Sequence, residues 1–296
     1  MEQFTGTGVA LVTPFDSKGK VDVKALTALV DFVINGGVDY LVVLGTTAET
    51  AVLSGEEKEL VKKTVIKANN SRVPLVLGVG GNNTAGVVDA LKNGDLTGFS
   101  GILSVAPYYN RPGQEGIYAH FKMIAEASPL PVIVYNVPSR TGCNMSVETT
   151  LKLAYDFDNI VGIKEASGDL NQITRIIRDK PDDFLVISGD DMLTLPICVA
   201  GGAGVISVIG QGLPSLFSKM VRLGLSGDFK EAYAILYKVM PAIDLAFEEG
   251  NPAGIKAILE YRKICRSVVR LPLTEASKTL KRKIAACLSQ FIPVTQ

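Results

Sequence analysis

Lys164 closes the apolar run Asn159-Ile-Val-Gly-Ile-Lys164-Glu-Ala-Ser167, and a lone lysine ending a β-branched stretch is a candidate nucleophile. If the run is a buried parallel strand, its end delivers the amine into the mouth of the fold. An amine stripped of water loses part of its preference for the charged form, from a reference pKa of ~10.4. Its neutral fraction can attack a carbonyl and form a Schiff base. The plain structural alternative is a strand-end lysine paired with Glu165 or solvated. Other reactive side chains gather at comparable places. Thr46 and Thr47 follow one apolar run, Tyr108 and Tyr109 another, and Tyr135 closes a third, with Arg140 just after it. Hydroxyls, phenols, a guanidinium and an amine suit carbonyl chemistry on a small keto acid. Threonine pairs also serve turns by bonding nearby backbone, so both readings of Thr46-Thr47 stand at this point. Tyr135 can equally be a core tyrosine with a satisfied hydroxyl. Arg140 is either a solvated loop cation or a two-point grip for a carboxylate.

These residues need a frame, and the chain supplies one. Eight short apolar runs recur: Gly8–Thr13, Tyr40–Gly45, Pro74–Val79, Gly101–Ala106, Pro131–Asn136, Ile160–Lys164, Phe184–Ser188 and Gly204–Val208. Each is near-continuously hydrophobic rather than alternating, as strands covered on both faces are. Helical patterns lie between many of them, such as Leu26, Leu29, Val30 and Val33, and Ser54-Gly-Glu-Glu57 reads as a capping box. Repeated strand–helix units imply parallel strands with right-handed crossovers, and eight in a row predict an α/β fold closed as a (β/α)8 TIM barrel. Catalytic residues of such barrels lie at the C-terminal strand ends, where the candidates fall. The barrel is expected over residues 1–224, and a helical C-terminal extension over 225–296. Within that extension, Phe229–Met240 and Ala253–Cys265 read as helices with Pro241 and Pro252 as breaks.

Composition excludes several classes. The 296 residues balance 30 basic against 30 acidic side chains, so no net field draws in nucleic acid or an anionic membrane. Four cysteines without paired spacing read as free thiols, and a single histidine, His120, leaves no His-rich metal site. No apolar stretch approaches the ~20 residues that span a bilayer, and the N-terminus shows no signal-peptide pattern. The expectation is a cytoplasmic protein. Gly78-Val-Gly80-Gly81-Asn-Asn83 lacks the last glycine of a dinucleotide turn. Gly201-Gly-Ala-Gly204 precedes the eighth run, on the face opposite the catalytic one.

Taken together, Gly45-Thr46-Thr47, Tyr108-Tyr109-Asn110-Arg111-Pro112, Tyr135-Asn136-Val137-Pro138-Ser139-Arg140-Thr141-Gly142 and Gly162-Ile163-Lys164-Glu165-Ala166 resemble the dihydrodipicolinate synthase family. This is a pyruvate-dependent branch of the class I aldolase and N-acetylneuraminate lyase superfamily. The resemblance implies condensation of pyruvate with L-aspartate 4-semialdehyde to 4-hydroxy-tetrahydrodipicolinate, in the diaminopimelate branch of lysine biosynthesis. On it, Lys164 would form the Schiff base and Tyr135 would donate and accept protons. Thr46 and Tyr109 would relay them, Tyr109 across a dimer interface. Thr47 would hold the pyruvate carboxylate, Arg140 would receive the semialdehyde carboxylate, and Gly189 and Ile206 would line the pyruvate pocket. No metal and no organic cofactor is implied, and the implied assembly is a homotetramer, a dimer of dimers. Asn82 and Tyr108 match positions of a lysine feedback site. Gly86 stands where lysine-sensitive members carry glutamate, and Gly55 and Lys58 where some carry histidines, so weak or absent inhibition by lysine is expected. Ala48 replaces the glycine usual after the threonine pair. Sister lyases on the same scaffold share the lysine and tyrosine; Thr47 and the Ser139-Arg140-Thr141-Gly142 turn favour the synthase over them. Retention of Lys164, Tyr135 and Thr46 together speaks against a non-catalytic binding barrel.

Overall fold

A computed structural model describes residues 2–291. Eight parallel strands close into a barrel in chain order, each hydrogen-bonded to the next and the last to the first. They are β1 (Gly6–Ala10), β2 (Tyr40–Val43), β3 (Leu75–Gly78), β4 (Gly101–Val105), β5 (Val132–Asn136), β6 (Ile160–Glu165), β7 (Leu185–Ser188) and β8 (Gly204–Ser207). Helices follow the strands and sheath the barrel, as the alternation predicted. Two apolar layers result. The outer one lies between strands and helices and includes Leu26, Leu29, Val30 and Val33. The inner one fills the barrel with Ala10, Val42, Val76, Ile133, Ile187 and Ile206, with Phe4 and Tyr40 packed edge to face beside them. Strands buried on both faces are largely apolar on both, which is why each reads as a nearly unbroken run. Gly8 is required there, because a Cβ would fall 2.3 Å from the Tyr40 ring. The Ser54–Glu57 capping box opens the helix Gly55–Asn69 as expected.

Most strand ends differ from expectation by a residue or two, and the larger departures are at the first strand and in the C-terminal extension. The first strand is Gly6–Ala10, displaced from Gly8–Thr13. Its start is hidden because Gly6 and Thr7 are not apolar, yet both pair with β8. Its end comes early because the Gln211 side chain takes over the ladder, accepting from Val12 N at 3.0 Å and donating to Ala10 O at 2.9 Å. In the extension, Pro241 does not break a helix but lies inside Phe229–Phe247. Proline removes one backbone hydrogen bond, to the carbonyl four residues earlier. Here that residue is Tyr237, 64% exposed, so water can satisfy the freed oxygen while Val239, Ala242, Ile243 and Ala246 keep the inner face buried. Pro252 caps the next helix, Ala253–Tyr261, which ends short of Cys265, and Lys278–Leu288 packs across both. Residue 224, the expected end of the barrel segment, lies in the last turn of Pro214–Ser226.

Candidate active site

β5 and β6 bring the key pair together through an irregularity. Val132 pairs with Ile160 but Ile133 pairs with Gly162, leaving Val161 as an extra residue. Val161 faces the barrel interior and Ile163 the outer layer. Strict alternation from Val161 would turn Lys164 outward; the bulge shifts the phase and turns it inward, opposite Tyr135. Both side chains are buried, and Lys164 Nζ lies 4.3 Å from the centre of the Tyr135 ring.

Burial sets the electrostatics of the pair. It pulls the Lys164 ammonium down to about 8; the Asp191 carboxylate opposes this and the Arg140 guanidinium adds to it. Burial pushes the Tyr135 phenol up to about 12, opposed by Arg140 and by the Thr46 hydroxyl. The lysine is therefore partly neutral near physiological pH, while the phenol keeps its proton. Glu165 is no partner for Lys164. It turns to the outer side, where its carboxylate accepts from Asn136 Nδ2 at 3.2 and 3.1 Å, Ser167 N at 2.7 Å and Gln172 Nε2 at 3.0 Å. The Asn136 oxygen in turn accepts from Met145 N at 3.0 Å, tying down the loop that carries Arg140.

The other candidates surround this pair unequally. Thr46 and Thr47 share a single helical turn, Thr46–Ala48, directly after β2. Thr46 is exposed and close enough to the phenol to lower its pKa. Thr47 is buried and accepts a hydrogen bond from Asn251 Nδ2 at 2.9 Å. Gly189 follows β7; a Cβ there would fall 3.0 Å from Lys164 Cε and 2.6 Å from Ala166 Cβ, so only glycine leaves room for the lysine stem. Ile206 faces the barrel interior from β8. Arg140 lies exposed in the turn Pro138–Thr141, its charge felt by both Lys164 and Tyr135. Tyr109 stands apart: it is 88% exposed, with φ at 73°. Asn82 donates to the Tyr108 carbonyl at 3.2 Å, beside a surface cavity of about 210 Å³ lined by Val79, Asn82, Asn83, Gly86 and Val87.

Sequence reasoning passed over three buried polar residues. Asp191 accepts from Ser207 Oγ at 2.6 Å and from Ile209 N at 2.8 Å, and burial lifts its carboxyl to about 6 against those bonds. Asn251 and Lys256 belong to the C-terminal segment, far along the chain from Thr47 and Glu49, which they respectively contact. The one available signal was Glu49, an acidic residue two positions after the candidate hydroxyl pair. Its carboxylate meets Lys256 Nζ at 2.5 Å, with both side chains buried. Among the described residues, no group of three or more His, Cys, Asp or Glu is arranged to hold a metal ion. No helix among them is long and apolar enough to cross a membrane.

The sequence profile of the dihydrodipicolinate synthetase family matches residues 3–291. The chain belongs to that family. A 4-hydroxy-tetrahydrodipicolinate synthase of Flavobacterium psychrophilum is 60% identical over 284 residues, covering 96% of this chain and 97% of that protein. The crystal structure of the dihydrodipicolinate synthase of Thermotoga maritima superposes with a TM-score of 0.95 at 36% identity, over 97% of this chain and 98% of that one. A monomeric dihydrodipicolinate synthase variant superposes at 0.94 with 36% identity, over 97% of both chains. These superpositions cover the barrel and the C-terminal helices alike.

Proposed function

We propose that the chain condenses pyruvate with L-aspartate 4-semialdehyde through an imine on Lys164, giving 4-hydroxy-tetrahydrodipicolinate. The observation that carries this reading is a buried lysine amine lying against a buried phenol at the C-terminal end of the barrel. The neutral Lys164 amine attacks C2 of pyruvate, and loss of water leaves a protonated imine. That imine draws electrons from the methyl group, which releases a proton to give an enamine. The enamine carbon attacks the aldehyde of the semialdehyde. The substrate's own amine then attacks the imine carbon, closes the ring and releases Lys164.

Tyr135 is the proton donor and acceptor of these steps. A phenol at about 12 donates readily only if its proton is returned, so a relay through Thr46, and through Tyr109 of a second copy, is part of the proposal. Thr47 holds the pyruvate carboxylate, and Gly189 and Ile206 shape the space around the methyl end. Arg140, exposed at the rim, receives the semialdehyde carboxylate in two-point geometry. In this reading residues 1–224 carry the chemistry and residues 225–296 buttress it. The exposure of Tyr109 supports an assembly of at least two copies, with a dimer of dimers as the proposed form. Asn82 and Tyr108 flank the proposed lysine site. The proposed location is the cytoplasm.

Borohydride trapping with labelled pyruvate tests the reading: a mass adduct on Lys164 is expected, and Lys164→Ala should abolish it. A coupled assay should show turnover with the semialdehyde and none with N-acetylmannosamine. Arg140→Ala should raise KM for the semialdehyde at least tenfold, as loss of a charge-assisted bond implies, with pyruvate trapping retained. An adduct on another residue would sink the assignment.

A further inference from the structure

We infer that Asn251 is a positioning residue for pyruvate recognition: its amide donates to Thr47 Oγ1 and so reserves the Thr47 proton for the substrate carboxylate. The inference rests on the reading that Thr47 holds that carboxylate. A threonine hydroxyl has one proton to give and two lone pairs to receive with. Asn251 Nδ2 lies 2.9 Å from Thr47 Oγ1 and occupies a lone pair, so the proton must go elsewhere. Thr47 is 3% exposed and Asn251 9%, which leaves bulk water little access to that proton. A buried donor with one direction left open is what a carboxylate requires.

The backbone around the contact is held from the same side. Lys256, on the helix that begins just after Asn251, has its amine within 2.5 Å of Glu49. The backbone N of Arg270 donates to the other Glu49 oxygen at 2.9 Å. Thr13 Oγ1 donates to the Ala48 carbonyl at 2.8 Å. Thr47, Ala48 and Glu49 are thus pinned individually, two of them by the C-terminal segment. Asn251 also carries a cost. Its Oδ1 is buried and no group among the described residues donates to it. An apolar side chain would avoid that cost, and only the donor end of the amide repays it. The C-terminal helices therefore act on the chemistry through one hydroxyl, although they stand outside the barrel.

The test is the pyruvate concentration that half-saturates the borohydride-trapped adduct on Lys164, followed by intact mass. Asn251→Asp replaces the donor by an acceptor that competes for the Thr47 proton, and a rise of at least about tenfold is expected, the scale of one charge-assisted hydrogen bond. Asn251→Ala should raise it about three- to tenfold. In a Thr47→Val background Asn251→Ala should have no further effect, because the residue acts through that hydroxyl. Half-saturation by Asn251→Asp within about twofold of the parent, or an equal effect of Asn251→Ala in both backgrounds, overturns the inference and leaves the imine reading intact. If the aspartate variant does not fold, the Thr47/Asn251 cycle decides alone. No adduct in the parent protein overturns the imine reading and this one with it.

Discussion

Replacing Lys164 by methionine should remove all adduct formation and, at neutral pH, make the protein more stable. The cost of the lysine follows from its environment. Burial lowers its pKa from 10.5 to about 8, and at ~1.4 kcal/mol per pH unit the folded state bears about 3–4 kcal/mol for holding a charged amine there. Methionine has similar length and no charge, so most of that burden disappears. For a chain of 296 residues, an unfolding entropy near 2.1 cal/mol/K per residue converts the gain to about 5 °C in Tm. The sign with pH is specific. Below pH 8 the amine is charged in both folded and unfolded chains, and the variant's advantage is complete. Between about 8 and 10.5 the folded chain releases the proton while the unfolded one keeps it, so the parent gains on the variant. Above the higher value both are neutral and the advantage is gone. Thermal unfolding of both proteins at pH 7 and pH 10, compared as a difference so that other titrations cancel, measures this. An advantage that is absent at pH 7, or as large at pH 10, would refute the claim that Lys164 is strained by desolvation. The same quantity predicts that adduct formation rises with pH to a midpoint near 8, not near the ordinary lysine value.

Three further outcomes follow from particular contacts. Gly189→Ala puts a methyl group 3.0 Å from Lys164 Cε and 2.6 Å from Ala166 Cβ; kcat should fall about 100-fold as the amine is displaced, with about 1–3 kcal/mol lost in urea unfolding. Lys256→Met leaves the Glu49 carboxylate buried without its cation, which should cost about 3–5 kcal/mol, whereas Glu49→Leu with Lys256→Met should recover much of it. Lysine should inhibit only weakly, because Gly86 offers no carboxylate to its ammonium at the cavity beside Asn82; half-inhibition at micromolar lysine in the coupled assay would show that another group has taken that role.

The sequence by itself determined the barrel and its eight strands, and it singled out the candidate reactive side chains at the strand ends. Strands buried on both faces are largely apolar, and a lysine, a tyrosine and two threonines at their ends stand out against such runs. It could not determine which way Lys164 faces. That depends on one extra residue at Val161, which changes no local propensity and appears only when β5 and β6 pair. Nor could it expose the roles of Glu165, Asp191, Asn251 and Lys256, whose neighbours outside their own loops come from other elements. Asn251 lies about 200 positions from Thr47, a separation of 204, and nothing in the spacing of either residue points to the other. Periodicity records what each segment must bury, and so it survives in the sequence; the pairing of distant polar atoms is decided only when folding closes the barrel and lays the last helices against it.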